Sequence, residues 1–256
     1  MISTCSSIRK SSAFHRGSCI PPAYDDGGWF NVLSADTPAL REKVYRFRFQ
    51  VYCLERGYED PEDYPDHRET DSFDGHSVHS LLVNRGSGAA SGTVRLVLAD
   101  KDYLESSFPI QQVCRHPFFN DGLFARMKTT AEISRFAVSR NCGILSPSDP
   151  SFPGRRRRKS TRDFPSTLPS LTLGLMKATL QMSRQHGVTD WLAVMEPSLL
   201  RLLERFGIHF QTFGPLVEYH GLRQPCHAFV DNLLERVQRE RPEVWRYVTD
   251  SGAYCP

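Results

Sequence analysis

Apolar residues recur along the chain with two different periods, and the switches between them mark out the elements. In "WFNVLSA", residues 29–35, Phe30 and Val32 lie two apart, the spacing of a strand with one buried face. Thr37 followed by Pro38 reads as a helix start, a capping hydroxyl ahead of a proline in the first helical position. From there Leu40, Val44, Phe47, Val51 and Leu54 step by fours and threes, the stripe of an amphipathic helix, and Gly57 is the expected stop. Residues 57–77 follow no period and are acidic and turn-rich, which predicts a loop. Strands are predicted over His79–Asn84 and Gly92–Leu98, around a Gly/Ser turn, and again in "AEISRFAVS". Residues 101–130 between them read as irregular.

Residues 139–170 form a Pro/Ser/Arg-rich insert, and its length predicts a mobile segment. Leu171, Leu175, Ala178 and Met182 then line one side of a helix from Ser170 to Gly187. "TDWLAVM" reads as a buried strand and "EPSLLRLLERFG" as a short helix with a proline at its start. Two more strands are expected around "HGLRQP", and the closing helical segments break at Pro242. Helices interspersed with strands predict one α/β domain of three layers.

Composition narrows the class. The chain has 256 residues, 39% hydrophobic and 24% charged, an ordinary globular balance. A formal charge of +3 is too small to argue for a nucleic-acid binder, and no aromatic stacking pattern points to one. Cys5, Cys19, Cys53, Cys114, Cys142, Cys226 and Cys255 are odd in number and make no C-x-x-C pair. That fits free thiols in a reducing cytoplasm rather than a disulfide framework or a zinc site. No stretch reaches the ~18 apolar residues that a membrane helix needs. Residues 1–28 are expected to be a disordered tail; the first 24 hold no acidic residue and no apolar h-region, and an organelle transit peptide is the alternative.

Six charged residues stand among apolar neighbours: Arg48 in the first helix, Asp71 and Asp74 in the loop, Arg95 in a strand, and Glu132 and Arg135 in the next. Taken singly, each has an ordinary explanation as a solvated face, a turn or a helix cap. Arg41, Arg48 and Glu55 are seven apart and share a stripe beside the apolar face. Strand alternation sends Glu132 and Arg135 to opposite faces unless a bulge intervenes. His76 and His79 beside the two aspartates raise a metal reading, but residues three apart on a strand do not converge, and no metal is expected.

In chain order the pieces "RFRFQVYCLERG", "ETDSFDGHS", "GTVRLVL", "FPI" at 108–110 and "AEISRFAVS" resemble the autoinducer synthases, which make N-acyl-homoserine lactones on an acetyltransferase-like fold. Within the same superfamily, "VYRFRFQVYCLERGYEDPEDYPD", "DGHSVHSLL" and "VMEPSLLRLLERFGIHFQTFGPLVEYHGLRQPC" resemble the acyltransferases associated with PEP-CTERM/exosortase systems, relatives of long-chain N-acyl amino acid synthases. The likeness spans roughly residues 29–250 and leaves out the tail and the insert. It implies a three-layer α-β-α GNAT-like fold with a central mixed, mostly antiparallel sheet. It also implies an N-acyltransferase that uses an acyl thioester on phosphopantetheine and an amine acceptor such as an amino acid, with no tightly bound cofactor. Under that resemblance Glu132 is the expected base and Arg135 its catalytic partner. Arg48, Asp71, Asp74, Arg95, Phe108 and Phe136 are the expected substrate-binding residues, the arginines for a carboxylate or to orient the acidic loop and the aromatics to wall an acyl tunnel.

The broader acetyltransferase pattern places a Gly-rich Q/R-x-x-G-x-G/A loop after this strand to cradle the coenzyme pyrophosphate. Here the strand runs into "SRNCGILSPSDPSFP", which lacks that spacing. An acyl carrier protein presents pantetheine without an adenylate, so acyl-carrier protein is expected over acetyl-coenzyme A, with acyl-coenzyme A the other acyl donor. The run Arg155, Arg156, Arg157, Arg158 and Lys159 suits steering of such an acidic partner, each exposed pair adding only about 0.2–1 kcal/mol; a solvated basic run is the plain alternative. An acetyl-coenzyme A-dependent acetyltransferase and a non-catalytic acyl-sensing module are the competing functions. Homoserine-lactone formation does not follow from these motifs.

Overall fold

The computed structural model describes residues 30–117, 119, 124–140 and 164–255. The expected tail and most of the expected insert, including Arg155–Lys159, lie outside the described residues. Strand β1 (Phe30–Ser34) leads into α1 (Pro38–Phe49), capped by the Thr37 hydroxyl with proline in its first turn. The hairpin β2 (Ser77–Asn84) and β3 (Ala90–Leu98) follows, then a short α2 (Ile110–Val113) and β4 (Thr130–Val138). Next come α3 (Phe164–His186), β5 (Asp190–Met195) and α4 (Pro197–Arg205). Two-residue strands β6 (Gln211–Thr212) and β7 (Val217–Glu218) precede β8 (Leu222–Phe229), and α5 (Val230–Glu240) and α6 (Pro242–Thr249) close the fold.

The sheet order is β1-β2-β3-β4-β5-β8-β6, with β7 paired to β8. Every pairing is antiparallel except β4 with β5. Alternation along each strand divides the core. Leu82, Val94, Leu96, Ala131 and Ile133 face α3, α5 and α6 on one side. Leu81 and Ala137 meet Val44, Phe47 and Val51 of the first helix on the other, beside a second patch of Phe73, Val97, Phe108 and Ile110. Each such buried Val, Leu, Ile or Phe side chain contributes about 1.5–3 kcal/mol. Helix α3 approaches the sheet closely at Gly174, where a Cβ would lie 2.9 Å from the Leu82 side chain.

Four local departures from the pattern matter. The first helix widens into a π-helical turn over Gln50–Glu55, which rotates its stripe: Val51 is buried but Leu54 is 63% exposed. Helix α3 begins at Phe164, six residues earlier than its apolar stripe predicts, and carries Pro169 within it, where only one hydrogen bond near the end is forgone. Strand β4 bulges. Thr93 pairs with Ala137 and Arg95 with Ser134, so Val94 opposes two residues, and Arg135 takes φ +46°. Finally, β4 and β5 pair only from Thr130/Asp190 to Ile133/Ala193, although both strands continue. Beyond Ile133 they part.

Candidate active site

The bulge decides where the charges of β4 point. Ile133, Phe136 and Val138 pack toward α3, whereas Glu132, Ser134 and Ala137 face the α1 side. Arg135 is the inserted residue, and its left-handed conformation returns its side chain to the α1 side. Glu132 and Arg135 therefore share a face, contrary to simple alternation. A non-glycine residue in this region of φ costs about 1 kcal/mol or more and persists where contacts hold it.

Those contacts form a closed ring of alternating charge. Arg48 binds Glu69 and Asp74; Asp74 and Asp71 both bind Arg95; Asp71 and Glu69 both bind Arg135. The links run from 2.5 Å for Arg48–Glu69 to 2.9 Å for Arg95–Asp74 and Arg135–Asp71. Arg48, Glu69 and Arg95 are wholly buried. The flanking arginines hold the Glu69 carboxyl down at about 2 and Asp74 well below the usual carboxylate range, overcoming burial, which acts the other way. The acidic loop is organised by the same residues: Asp71 caps the short 3-10 turn Ser72–His76, accepting from Phe73 N, while Asp74 accepts from Asp71 N. The predicted loop chemistry and the predicted arginine contacts are one structure. Glu69, the first residue of "ETDSFDGHS", binds two of the three arginines, and nothing in its local sequence sets it apart from the other acidic residues of the loop.

Glu132 lies beside this ring and outside it. Its Oε2 accepts the Ile110 N–H at 2.7 Å. Burial pushes its pKa up to about 8, opposed by that hydrogen bond and by Arg95 and Arg135. His79, edge-on to Tyr45, is kept neutral by burial, which draws its pKa down to about 3. His76 contacts the Ser107 carbonyl at 2.9 Å. Among the described residues no group of three His, Cys, Asp or Glu side chains is placed to hold a metal ion.

A cavity of about 270 Å³ opens where β4 and β5 part. Its polar floor includes Glu132, Arg135 and Tyr52, the last from the π-helical turn, with the Arg135 guanidinium 5.2 Å from the Tyr52 ring centre. An apolar side is made by Phe136, Leu168, Leu199 and Leu202. Of the expected site residues, Glu132, Arg135 and Phe136 thus line the cavity. Arg48, Asp71, Asp74 and Arg95 do not; they brace Arg135 and the acidic loop from behind. Phe108 does not line it either: it is fully buried in the patch with Val97, Ile110 and Leu192. The cavity residues Tyr52, Tyr58, Glu196 and Arg223 carried no local signal, because they meet only through the fold.

Residues 47–142 match the family described as Acetyltransferase (GNAT) domain. No curated protein matches the chain in sequence. Among solved structures, TofI in a ternary complex with an inhibitor and MTA is similar with TM-score 0.57 and 18% identity, covering 88% of this chain and 99% of that one. FeeM, an N-acyl amino acid synthase from uncultured soil microbes, gives TM-score 0.53 and 13% identity over 81% of this chain and 94% of its own. BjaI, a CoA-dependent acyl-homoserine lactone synthase solved with SAM and isopentyl-CoA, gives TM-score 0.51 and 22% identity over 82% and 90%. The chain has a GNAT-like α/β fold, a mixed sheet parted between its fourth and fifth strands.

Proposed function

We propose that the chain is an N-acyltransferase that moves a long-chain fatty acyl group from a pantetheine thioester to the amine of an amino acid or similar small acceptor. The observation that carries the reading is Glu132: a buried carboxyl on the cavity floor with its pKa raised to about 8, at the point where the sheet opens. A base with a pKa near the working pH serves an amine that is mostly protonated in neutral water. The acceptor ammonium first gives up one proton to solvent; as the free amine adds to the thioester carbonyl, Glu132 takes the second proton from its nitrogen, and the tetrahedral oxyanion collapses with cleavage of the C–S bond. The thiolate leaves with the proton that Glu132 held. Backbone N–H groups of β4 beyond Ile133, where β5 no longer pairs, are suited to the oxyanion.

The apolar side of the cavity favours an acyl chain over acetate, as does the resemblance to exosortase-associated acyltransferases. The absence of a Gly-rich pyrophosphate loop favours acyl carrier protein as donor, in the cytoplasm where such thioesters are made. FeeM, an N-acyl amino acid synthase with a similar fold, supports the amino-acid acceptor. Arg48, Asp71, Asp74 and Arg95 act as positioning residues in this scheme.

Mass spectrometry of lipid extracts from cells expressing wild type or Glu132→Gln tests the reading. An N-acyl species present with wild type and absent with the variant is expected, and its mass names acyl chain and acceptor together. Indistinguishable lipid profiles across several hosts would sink it.

A further inference from the structure

At its outer end the cavity is closed by a cluster that the mechanism above does not use. Glu196, the residue after β5, accepts from Arg223 Nη1 at 2.6 Å, from the Tyr58 hydroxyl at 3.3 Å and from the Ser198 hydroxyl at 3.1 Å. Three donors from three segments converge on one carboxylate, and that carboxylate is 43% exposed. Arg223 is 13% exposed and fixed by other bonds, its Nε on the Tyr219 carbonyl at 3.0 Å and its Nη2 on the His220 carbonyl at 2.9 Å, with its guanidinium 5.5 Å from the Tyr58 ring centre. Arg56 lines the same cavity and has no ion pair among the described residues. Helix α4 starts here, with Glu196 as its N-cap, so its positive end adds to the field. The cluster is a receptor for an oxyanion, filled by the chain's own side chain.

Strand register says how far this receptor lies from the chemistry. Glu132, Leu192 and His227 stand in one row across β4, β5 and β8. Glu196 is four residues beyond Leu192, and Arg223 four residues beyond His227 in the same direction, about 13 Å along the strands. The carbonyls that fix the Arg223 guanidinium belong to the β7–β8 turn, at the outer end of the strands, so the guanidinium does not reach back. That distance decides between two anions. An α-amino acid carries its carboxylate only two bonds from its nitrogen, and with the nitrogen at Glu132 the carboxylate falls far short of Arg223. Phosphopantetheine places its phosphate the equivalent of about four extended residues from its sulfur, which matches the span.

We propose that Arg223 and Arg56 bind the phosphate of the donor's phosphopantetheine arm, and that Glu196 occupies the phosphate's place until the donor displaces it. Side chains from the β7–β8 hairpin and from the residue that follows the π-helical turn then do the work that a Gly-rich loop does in other acetyltransferases. The assignment rests on the acyltransferase reading, since it takes the reacting thioester to lie at Glu132.

The test is equilibrium binding, by calorimetry at fixed ionic strength, of 4′-phosphopantetheine, unphosphorylated pantetheine, coenzyme A, holo-acyl carrier protein and free amino acids to the full-length chain. Wild type is expected to bind phosphopantetheine at least tenfold more tightly than pantetheine. Arg223→Gln and the exposed Arg56→Gln each reduce that preference severalfold or more, and Glu196→Gln increases it, a gain that misfolding cannot produce. Whichever of coenzyme A and holo-acyl carrier protein binds wild type more tightly is the phosphate's natural bearer, and its affinity falls with Arg223→Gln. Equal binding of the two pantetheines overturns the assignment and leaves the acyltransferase reading standing. Binding of neither pantetheine overturns both. Loss of amino-acid affinity in Arg223→Gln with phosphopantetheine unaffected gives the site to the acceptor carboxylate and overturns the assignment.

Discussion

The Arg135 guanidinium grips the Glu69 carboxylate as a fork, Nη2 at 2.8 Å from Oε1 and Nε at 3.1 Å from Oε2. Two residues 66 apart in sequence are thereby locked with almost no water around them. Each keeps one other partner in the ring, Glu69 with Arg48 and Arg135 with Asp71, but removing either leaves the buried ring one charge out of balance; breaking a buried pair typically costs about 3–5 kcal/mol. Glu69→Ala and Arg135→Ala are each expected to lose stability on that scale in urea denaturation. Glu69→Leu combined with Arg135→Met is expected to lose less than the sum of the two single changes, because the remaining buried charges, Arg48, Asp71, Asp74 and Arg95, again sum to zero. Additive losses would contradict a coupled pair.

Glu132 makes an opposite contribution at higher pH. Its pKa is raised from an ordinary 4.5 to about 8, so the folded state holds a proton that the unfolded chain releases. The stabilisation is complete below pH 4.5 and is lost as pH rises through 8, at up to about 1.4 kcal/mol per pH unit. Glu132→Gln is neutral at all pH values. Melting temperatures measured from pH 5 to 9 are expected to fall less steeply for the variant than for wild type, the gap widening toward pH 8.

The acid limb belongs to Glu69 and His79. Glu69 is lowered from 4.5 to about 2 by its arginines, and His79 from 6.5 to about 3 by burial. Both folded groups bind protons more weakly than the unfolded chain does. The stability they lend is present above the ordinary pKa and disappears as pH falls, from 6.5 toward 3 for His79 and from 4.5 toward 2 for Glu69. Between pH 4.5 and 6.5, where Glu69 does not yet titrate, His79 and Glu132 act with opposite signs, so a His79→Gln variant is expected to make the unfolding free energy fall more steeply with rising pH than in wild type. An unchanged slope in that window would remove His79 from the account.

Catalysis follows Glu132 in the proposed scheme. Loss of a general base typically lowers kcat by about 10² to 10⁴. Glu132→Gln is expected to fall in that range with little change in donor KM, and the wild-type pH profile is expected to rise with an apparent pKa near 8. A variant as active as wild type would assign the proton transfer elsewhere.

Much of this was legible before the fold was known, and the exceptions share a cause. Thr37–Pro38 marked the start of α1, and alternating apolar residues marked β2, β3 and β4, because these signals are local. Leu54 was expected to be buried and is exposed because the π-helical turn breaks the period that the stripe assumes. Arg135 shares a face with Glu132 because of one inserted residue, visible only in the pairing with β3. Pro169 concealed the start of α3, since proline also marks helix ends. Tyr58, Glu196 and Arg223 meet across β5 and the β7–β8 turn, and no spacing along the chain brings them together.

The ring of three arginines and three carboxylates sums to zero, so the floor of the cleft has no standing charge while Glu132 keeps its proton. An ammonium group arriving there meets a neutral acid, and its own positive field makes that acid easier to ionise. The acceptor thus arms the base that will deprotonate it. An empty or acyl-only site stays uncharged, which shelters a waiting thioester from idle hydrolysis.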